Sequence, residues 1–128
     1  MTGYLLDTHT AIWFFNGSTA LSHSANKIIR DLSNPIYISM ASAWEISIKI
    51  GLGKLSFSGK TAGFIHLAET NDITVIPIKT AHLTALESLP LIHRDPFDRL
   101  LIATAFAENM TLITNDGDIA QYKVSQIW

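Results

Sequence analysis

Short β-rich apolar runs alternate with helical stretches along the whole of this 128-residue chain. "YLLD", residues 4 to 7, reads as a buried strand with Asp7 at its carboxyl end. "THTAIWFF" follows at once as a short helix with Thr8 placed to cap it. Residues 22 to 33 make a second helix, capped by Ser22 or Ser24 and turning Ile28, Ile29 and Leu32 inward. After a break at Asn34-Pro35, "IYIS" (36 to 39) is a second buried strand, and "MASAWEISIKIGLGK" is a helix that stops near Gly51 and Gly53. "LSFSG" is a loop, and residues 61 to 71 are helical. "ITVIPI" (73 to 78) is β-rich, and Pro77 at its end suits a sheet edge. Helices over 80 to 88 and 96 to 109 flank a loop punctuated by Leu-Pro and Asp-Pro. "TLIT" (111 to 114) is a strand, and "VSQIW" is a short last one. Such alternation predicts one α/β domain over residues 1 to 128, layered around a mostly parallel central sheet.

A composition of 48% hydrophobic and 16% charged residues is enough to bury a core. There is no cysteine, which excludes disulfides and thiolate metal sites and suits a reducing compartment. No apolar run is long enough to span a bilayer, and "MTGYLLDTHT" lacks the charged start and cleavage site of a signal peptide. The expectation is a cytoplasmic protein. A formal net charge of −2 provides no basic footprint for nucleic acid. An anionic substrate must then be held locally, by a few basic residues or by bound metal ions.

Open parallel sheets bind ligands beyond the carboxyl ends of their strands. Asp7 ends the first strand, and Asp116 lies two residues past "TLIT". Glu45 lies in the helix after "IYIS", and Asp98 in the first turn of the helix leading into "TLIT". The fold argument therefore gathers four distant acids at one end of the sheet. Crowded carboxylates push one another's pKa upward and call for compensating cations. Hard oxygen ligands select Mg²⁺ or Mn²⁺, and no zinc spacing such as H-E-x-x-H is present. Carboxylate-held metal suits phosphate chemistry and supplies the positive potential that the chain lacks.

Each acid also has an ordinary structural explanation. Asp95-Pro96 before an apolar helix is an N-cap with Pro at the first helical position. Asp98 then complements the helix dipole, although it shares its helical face with Leu101, Ile102 and Ala105, an apolar stripe rather than a wet one. Ser42-x-x-Glu45 matches a capping box; a helix beginning at Ser39 would instead leave Glu45 in its interior. Lys49 could pair with Glu45 one turn earlier. Asp116 and Asp118 in "NDGD" fit turn chemistry. His9 and His93 lie near the expected site, but a polar loop role explains them as well. Trp13, Phe14 and Phe15 suit a core or a dimer face better than a base-stacking platform.

Together "YLLDTHTAIW", "SAWEISIK" (42 to 49), "HRDPFDRLLIATA" (93 to 105) and "LITND" (112 to 116) resemble a PIN-domain nuclease, and most closely the VapC-type toxins of bacterial type II toxin–antitoxin pairs. The resemblance runs from about residue 4 to the C-terminus, and "HRDPFDRLLIATA" is its most specific part. It implies a Rossmann-like α/β/α sandwich and an acidic pocket holding Mg²⁺ or Mn²⁺. It also implies cleavage of RNA by metal-activated water, leaving 5′-phosphate and 3′-hydroxyl ends. The family's four acids fall on Asp7, Glu45, Asp98 and Asp116. Thr8 and Thr114 match positions where a hydroxyl orients an acid or a metal water, and Asp95 is carried as a helix cap close to the site. Lys49, Arg94 and Arg99 are the residues proposed to contact phosphate. Expected partners are RNA, a second copy of the chain in a homodimer, and an antitoxin that blocks the pocket. For the antitoxin contact the apolar residues Trp13, Phe14, Trp44 and Ile48 are expected to be exposed.

Two other classes compete. A phosphoacceptor receiver domain also carries acids at strand ends, but needs an acidic pair after the first strand and an acid after the third. Here a single Asp7 follows the first strand, and none ends "TVIPI". A PIN scaffold that binds RNA or protein without cutting suits the net charge and leaves the intact acids unexplained.

Overall fold

The computed structural model describes residues 2–128. Its strands are β1 (Tyr4–Leu6), β2 (Ile36–Ser39), β3 (Thr74–Ile76), β4 (Thr111–Ile113) and β5 (Gln126–Ile127). Its helices are α1 (Thr8–Asn16), α2 (His23–Arg30), α3 (Met40–Gly51), α4 (Lys60–Thr70), α5 (Thr80–Glu87) and α6 (Pro96–Glu108). The sheet runs in the order β3-β2-β1-β4-β5, and every pairing is parallel. The expectation of a mostly parallel sheet becomes an entirely parallel one, and β3, which ends just before Pro77, is an edge strand as its proline requires.

Side-chain alternation along the strands divides the core in two. Leu6, Ile36, Ile38 and Ile113 face one side, where they pack with Ala11, Ile29, Ile46 and Phe64 from α1 to α4. Leu5 and Leu112 face the other, against Leu101, Ile102 and Ala105 of α6. These two cores make an α/β/α sandwich. On the second side α5 is tied to α6 through His82, which is fully buried. Its Nδ1 accepts the Lys79 N–H, and its Nε2 lies 2.9 Å from Glu108 Oε1.

Local chemistry revises several expectations. Asp7, not Thr8, caps α1: its carboxylate accepts the Thr10 N–H at 2.8 Å. Ser22 rather than Ser24 caps α2. That helix ends at Arg30, short of the expected residue 33, because Asp31 turns its carboxylate onto the Ser33 N–H and hydroxyl. Leu32 consequently lies outside the helix and is 80% exposed rather than buried. Ser39 caps α3 by accepting the Ala41 N–H, so the capping-box explanation of Glu45 is removed and Glu45 stands inside the helix. Asp95 caps α6 as its Asp-Pro sequence predicts, accepting from Phe97 and Asp98 N–H. Trp13 and Phe14 are half-buried rather than exposed: Phe14 packs on the core beneath the Arg30 guanidinium, and Trp13 stacks edge-on with Trp128. Trp44 and Ile48 are exposed as expected.

Candidate functional site

The strand order places the site. The chain builds outward from β1 through β2 to β3, then returns to lay β4 on the other flank of β1. The carboxyl ends of β1 and β4 are thus the switch point at which an open sheet leaves a crevice. Asp7 follows β1, and Thr114 to Asp116 follow β4. The two ends are stitched together: Asp7 N–H donates to Ile113 O at 3.2 Å, and the Thr10 hydroxyl to the same oxygen at 3.0 Å. The Thr114 hydroxyl donates in a short bond to Asp7 Oδ2. With Thr10 N–H on its other oxygen, the buried Asp7 carboxylate is fixed in orientation.

Glu45 enters from α3 and is buried. Its Oε1 accepts from the Thr8 hydroxyl at 2.7 Å, which also lies 2.9 Å from Ser42 Oγ. Its Oε2 takes the Lys49 ammonium at 2.7 Å. That hydrogen bond, reinforced by the charges of Glu45, Asp95 and Asp98, outweighs burial and raises the Lys49 pKa. Lys49 is therefore firmly charged beside the acids.

Asp98 and Asp116 meet around His93. His93 Nε2 lies 3.1 Å from Asp98 Oδ2 and 3.2 Å from Asp116 Oδ2, and ligand atoms of the three residues lie within 4.8 Å of one another. Burial first, and then the negative charges of Asp95, Glu45 and Asp7, together raise the Asp98 carboxyl to about 7 against the opposing effect of His93. Asp116 moves the other way. Burial would raise it, but the Asp118 N–H and the His93 ring hold it below the usual range. For His93, burial is outweighed by the Asp116 hydrogen bond and by the charges of Asp98, Asp116 and Asp118, so its pKa rises. One contact opposes this: the Asp95 N–H donates to His93 Nδ1 at 3.1 Å. A charged ring would aim a second proton at that donor, so the geometry describes the neutral ring with its proton on Nε2.

Among the described residues, Asp98 and Asp116 join the tight group with His93, while Asp95, Glu45 and Asp7 lie near enough for their charges to act on the Asp98 carboxyl. An acid whose carboxyl is raised by burial and by its acidic neighbours fits a divalent cation, whose charge would restore the ionised form. Asp7, Asp98 and Asp116 would hold it, with Glu45 alongside, and all are hard oxygen donors. Thr8 and Thr114 touch Glu45 and Asp7 respectively. Arg94 is exposed on a groove of about 600 Å³ that also involves Leu86, Leu91, His93 and Pro96. Arg99 lines the same groove but spends its Nη1 on Pro90 O and the Tyr122 hydroxyl. A second hollow of about 270 Å³, on the Glu45 side, is lined by Thr8, His9, Lys49 and Lys54. His93, read from the sequence as a polar loop residue near the site, contacts both Asp98 and Asp116, and Ser42, read as a capping-box candidate, instead meets the Thr8 hydroxyl beside Glu45.

The receiver pattern fails here as well, because β3 runs out into Pro77 and Ile78 without an acid. No curated protein matches the chain in sequence. Solved structures do match it in fold. VapBC2 from Rickettsia felis, bound to a promoter DNA fragment, shares 18% identity at a TM-score of 0.74, covering 99% of this chain and 98% of that one. VapBC-1 from nontypeable Haemophilus influenzae shares 17% at 0.69, covering 99% and 97%. DNA-bound VapBC from Salmonella typhimurium shares 16% at 0.67, covering 100% and 98%. The family model of the PIN domain matches residues 4–125. With that match running from β1 almost to the last strand, the chain belongs to the PIN-domain family.

Proposed function

We propose that this protein is a Mg²⁺- or Mn²⁺-dependent endoribonuclease, the VapC-type toxin of a toxin–antitoxin pair. The observation that carries the reading is the close group of Asp98, Asp116 and His93 beside the sheet's switch point, where burial and then the charges of Asp95, Glu45 and Asp7 raise the Asp98 carboxyl. Members of the PIN family are nucleases generally, and the solved structures named above are toxin–antitoxin complexes.

Bound there, a divalent ion supplies activation of water and neutralisation of charge on the scissile phosphate. The chain's own residues do the positioning. Thr114 and Thr10 lock Asp7, and Thr8 and Lys49 lock Glu45, so neither carboxylate must reorganise when substrate arrives. Basic residues flank the acids on both sides, Arg94 on one groove and Lys49 with Lys54 on the other. That arrangement suits an RNA backbone crossing the crevice despite the net charge of −2. Arg99, tied to Pro90 and Tyr122, acts on the loop first and on phosphate second.

In this reading the protein works in the cytoplasm as a homodimer and is neutralised by an antitoxin. Exposed Trp44, which meets Phe97 edge-on at 5.0 Å, and Ile48 offer the antitoxin an apolar contact on α3 beside the crevice. The net charge also favours a second reading, a scaffold that binds RNA without cutting. Cleavage of single-stranded RNA by partner-free protein, with Asp7→Asn as control, separates the two. The nuclease reading predicts products with 5′-phosphate ends that require the metal and vanish in the variant. RNA binding in chelator, with no products when Mn²⁺ is restored, establishes the scaffold instead.

A further inference from the structure

His93 is built into the crevice more firmly than a loop histidine needs to be. Its backbone N–H donates to the Tyr122 hydroxyl at 2.9 Å, and the Ile92 N–H to the same oxygen at 3.2 Å. Tyr122 in turn donates to Pro90 O at 2.8 Å, an oxygen that also takes Arg99 Nη1. Tyr122 is 4% exposed and packed into the core beneath α6. The ring is held separately, by the Asp95 N–H on Nδ1. A backbone anchor and a ring anchor together fix where Nε2 stands, between Asp98 Oδ2 and Asp116 Oδ2.

The polarity of the ring anchor decides what Nε2 can do. A ring nitrogen that accepts an N–H carries no proton, so the proton of the neutral ring is on Nε2. Nε2 is then a donor, with no lone pair for a metal. Metal-ligating histidines show the reverse arrangement, in which the far nitrogen donates to a carbonyl or carboxylate. We propose that His93 is a positioning residue of the metal site, spacing Asp98 and Asp116 through its Nε2–H without ligating the ion. The proposal rests on the metal-dependent reading above and assigns a role within it.

Proton–nitrogen correlation spectra of the protein labelled in its histidine rings test this directly. They are recorded in mildly alkaline buffer, metal-free and with Mg²⁺, and His93 is identified by its loss in His93→Gln. The expected result is a proton on Nε2 in both states. A proton that moves to Nδ1 when Mg²⁺ is added makes His93 a ligand and overturns the proposal alone. The backbone amides of Asp98 and Asp116 report Mg²⁺ binding in the same sample. If they do not respond, the metal reading falls and this role with it. Mg²⁺ affinity gives the second arm. His93→Gln keeps an N–H near the Nε2 position and should bind close to wild type, whereas His93→Ala should bind roughly 10–100-fold more weakly. Equal affinity of His93→Ala and wild type also overturns the proposal.

Discussion

At Asp98 the balance of charge has a measurable consequence. Its carboxyl titrates near 7 in the metal-free fold, against an ordinary value of 3.8. Between those values the folded protein holds a proton that the unfolded chain releases. The contribution of Asp98 to stability therefore falls as pH rises from about 4 to about 7. Asp98→Asn removes this contribution, so in EDTA the variant should gain on wild type across that window and keep its advantage above it. Urea denaturation of both proteins at a series of pH values reads the difference; parallel curves would show that Asp98 ionises normally. The positions of the acids at strand ends and helix starts were legible in the sequence, but their electrostatic states were not. Asp98 and Asp116 look alike in "DPFDR" and "TNDGD", yet the folded environments push one up and the other down. Burial and the charges of Asp95, Glu45 and Asp7 raise Asp98, whereas at Asp116 the Asp118 N–H and the His93 ring overcome burial.

Helix α6 was the most legible element, because Asp-Pro ahead of an apolar run specifies both its cap and its first turn. The Asp95 carboxylate does two jobs that substitution can separate. Asp95→Ala removes the acceptor for Phe97 and Asp98 N–H and should cost about 1 kcal/mol of stability. Asp95→Asn keeps an acceptor oxygen and removes the charge, so it should retain most of that stability while lowering the Asp98 pKa, read by carboxyl NMR titration. An unchanged Asp98 titration in Asp95→Asn would contradict the charge assignment. Helix α3 was less legible, since Ser39 and Ser42 are both competent caps and the sequence does not rank them. The difference matters, because with Ser39 as cap the Glu45 carboxylate is not spent on a capping box and accepts from the Thr8 hydroxyl. Leu32 is exposed for a local reason as well: the Asp31–Ser33 turn competes with the last helical hydrogen bonds.

On the scale of the whole molecule, alternation of strands and helices disclosed the layers but not the strand order. That Asp7 and Thr114 touch across 107 residues of chain follows from β4 returning beside β1, which no local pattern specifies. The same holds for Tyr122, which joins the loop before α6 to the C-terminal segment and has no motif to mark it. Tyr122→Phe should destabilise the fold by about 1–3 kcal/mol, because the Ile92 and His93 N–H groups lose a common acceptor. Denaturation in urea checks this, and an unchanged midpoint would show the hub to be incidental. No helix among the described residues is long and apolar enough to cross a membrane.

The central claim is that the crevice at the β1–β4 switch point holds a metal and cuts RNA. Its most direct test is a cleavage assay on a mixed pool of single-stranded RNA, with wild type and Asp98→Asn side by side in Mn²⁺, Mg²⁺ or EDTA. The account predicts cutting by wild type in either metal, none in EDTA, and a loss of at least about 100-fold in the variant while its fold persists. Cutting by Asp98→Asn at the wild-type rate, or wild-type cutting undiminished in EDTA, would contradict it.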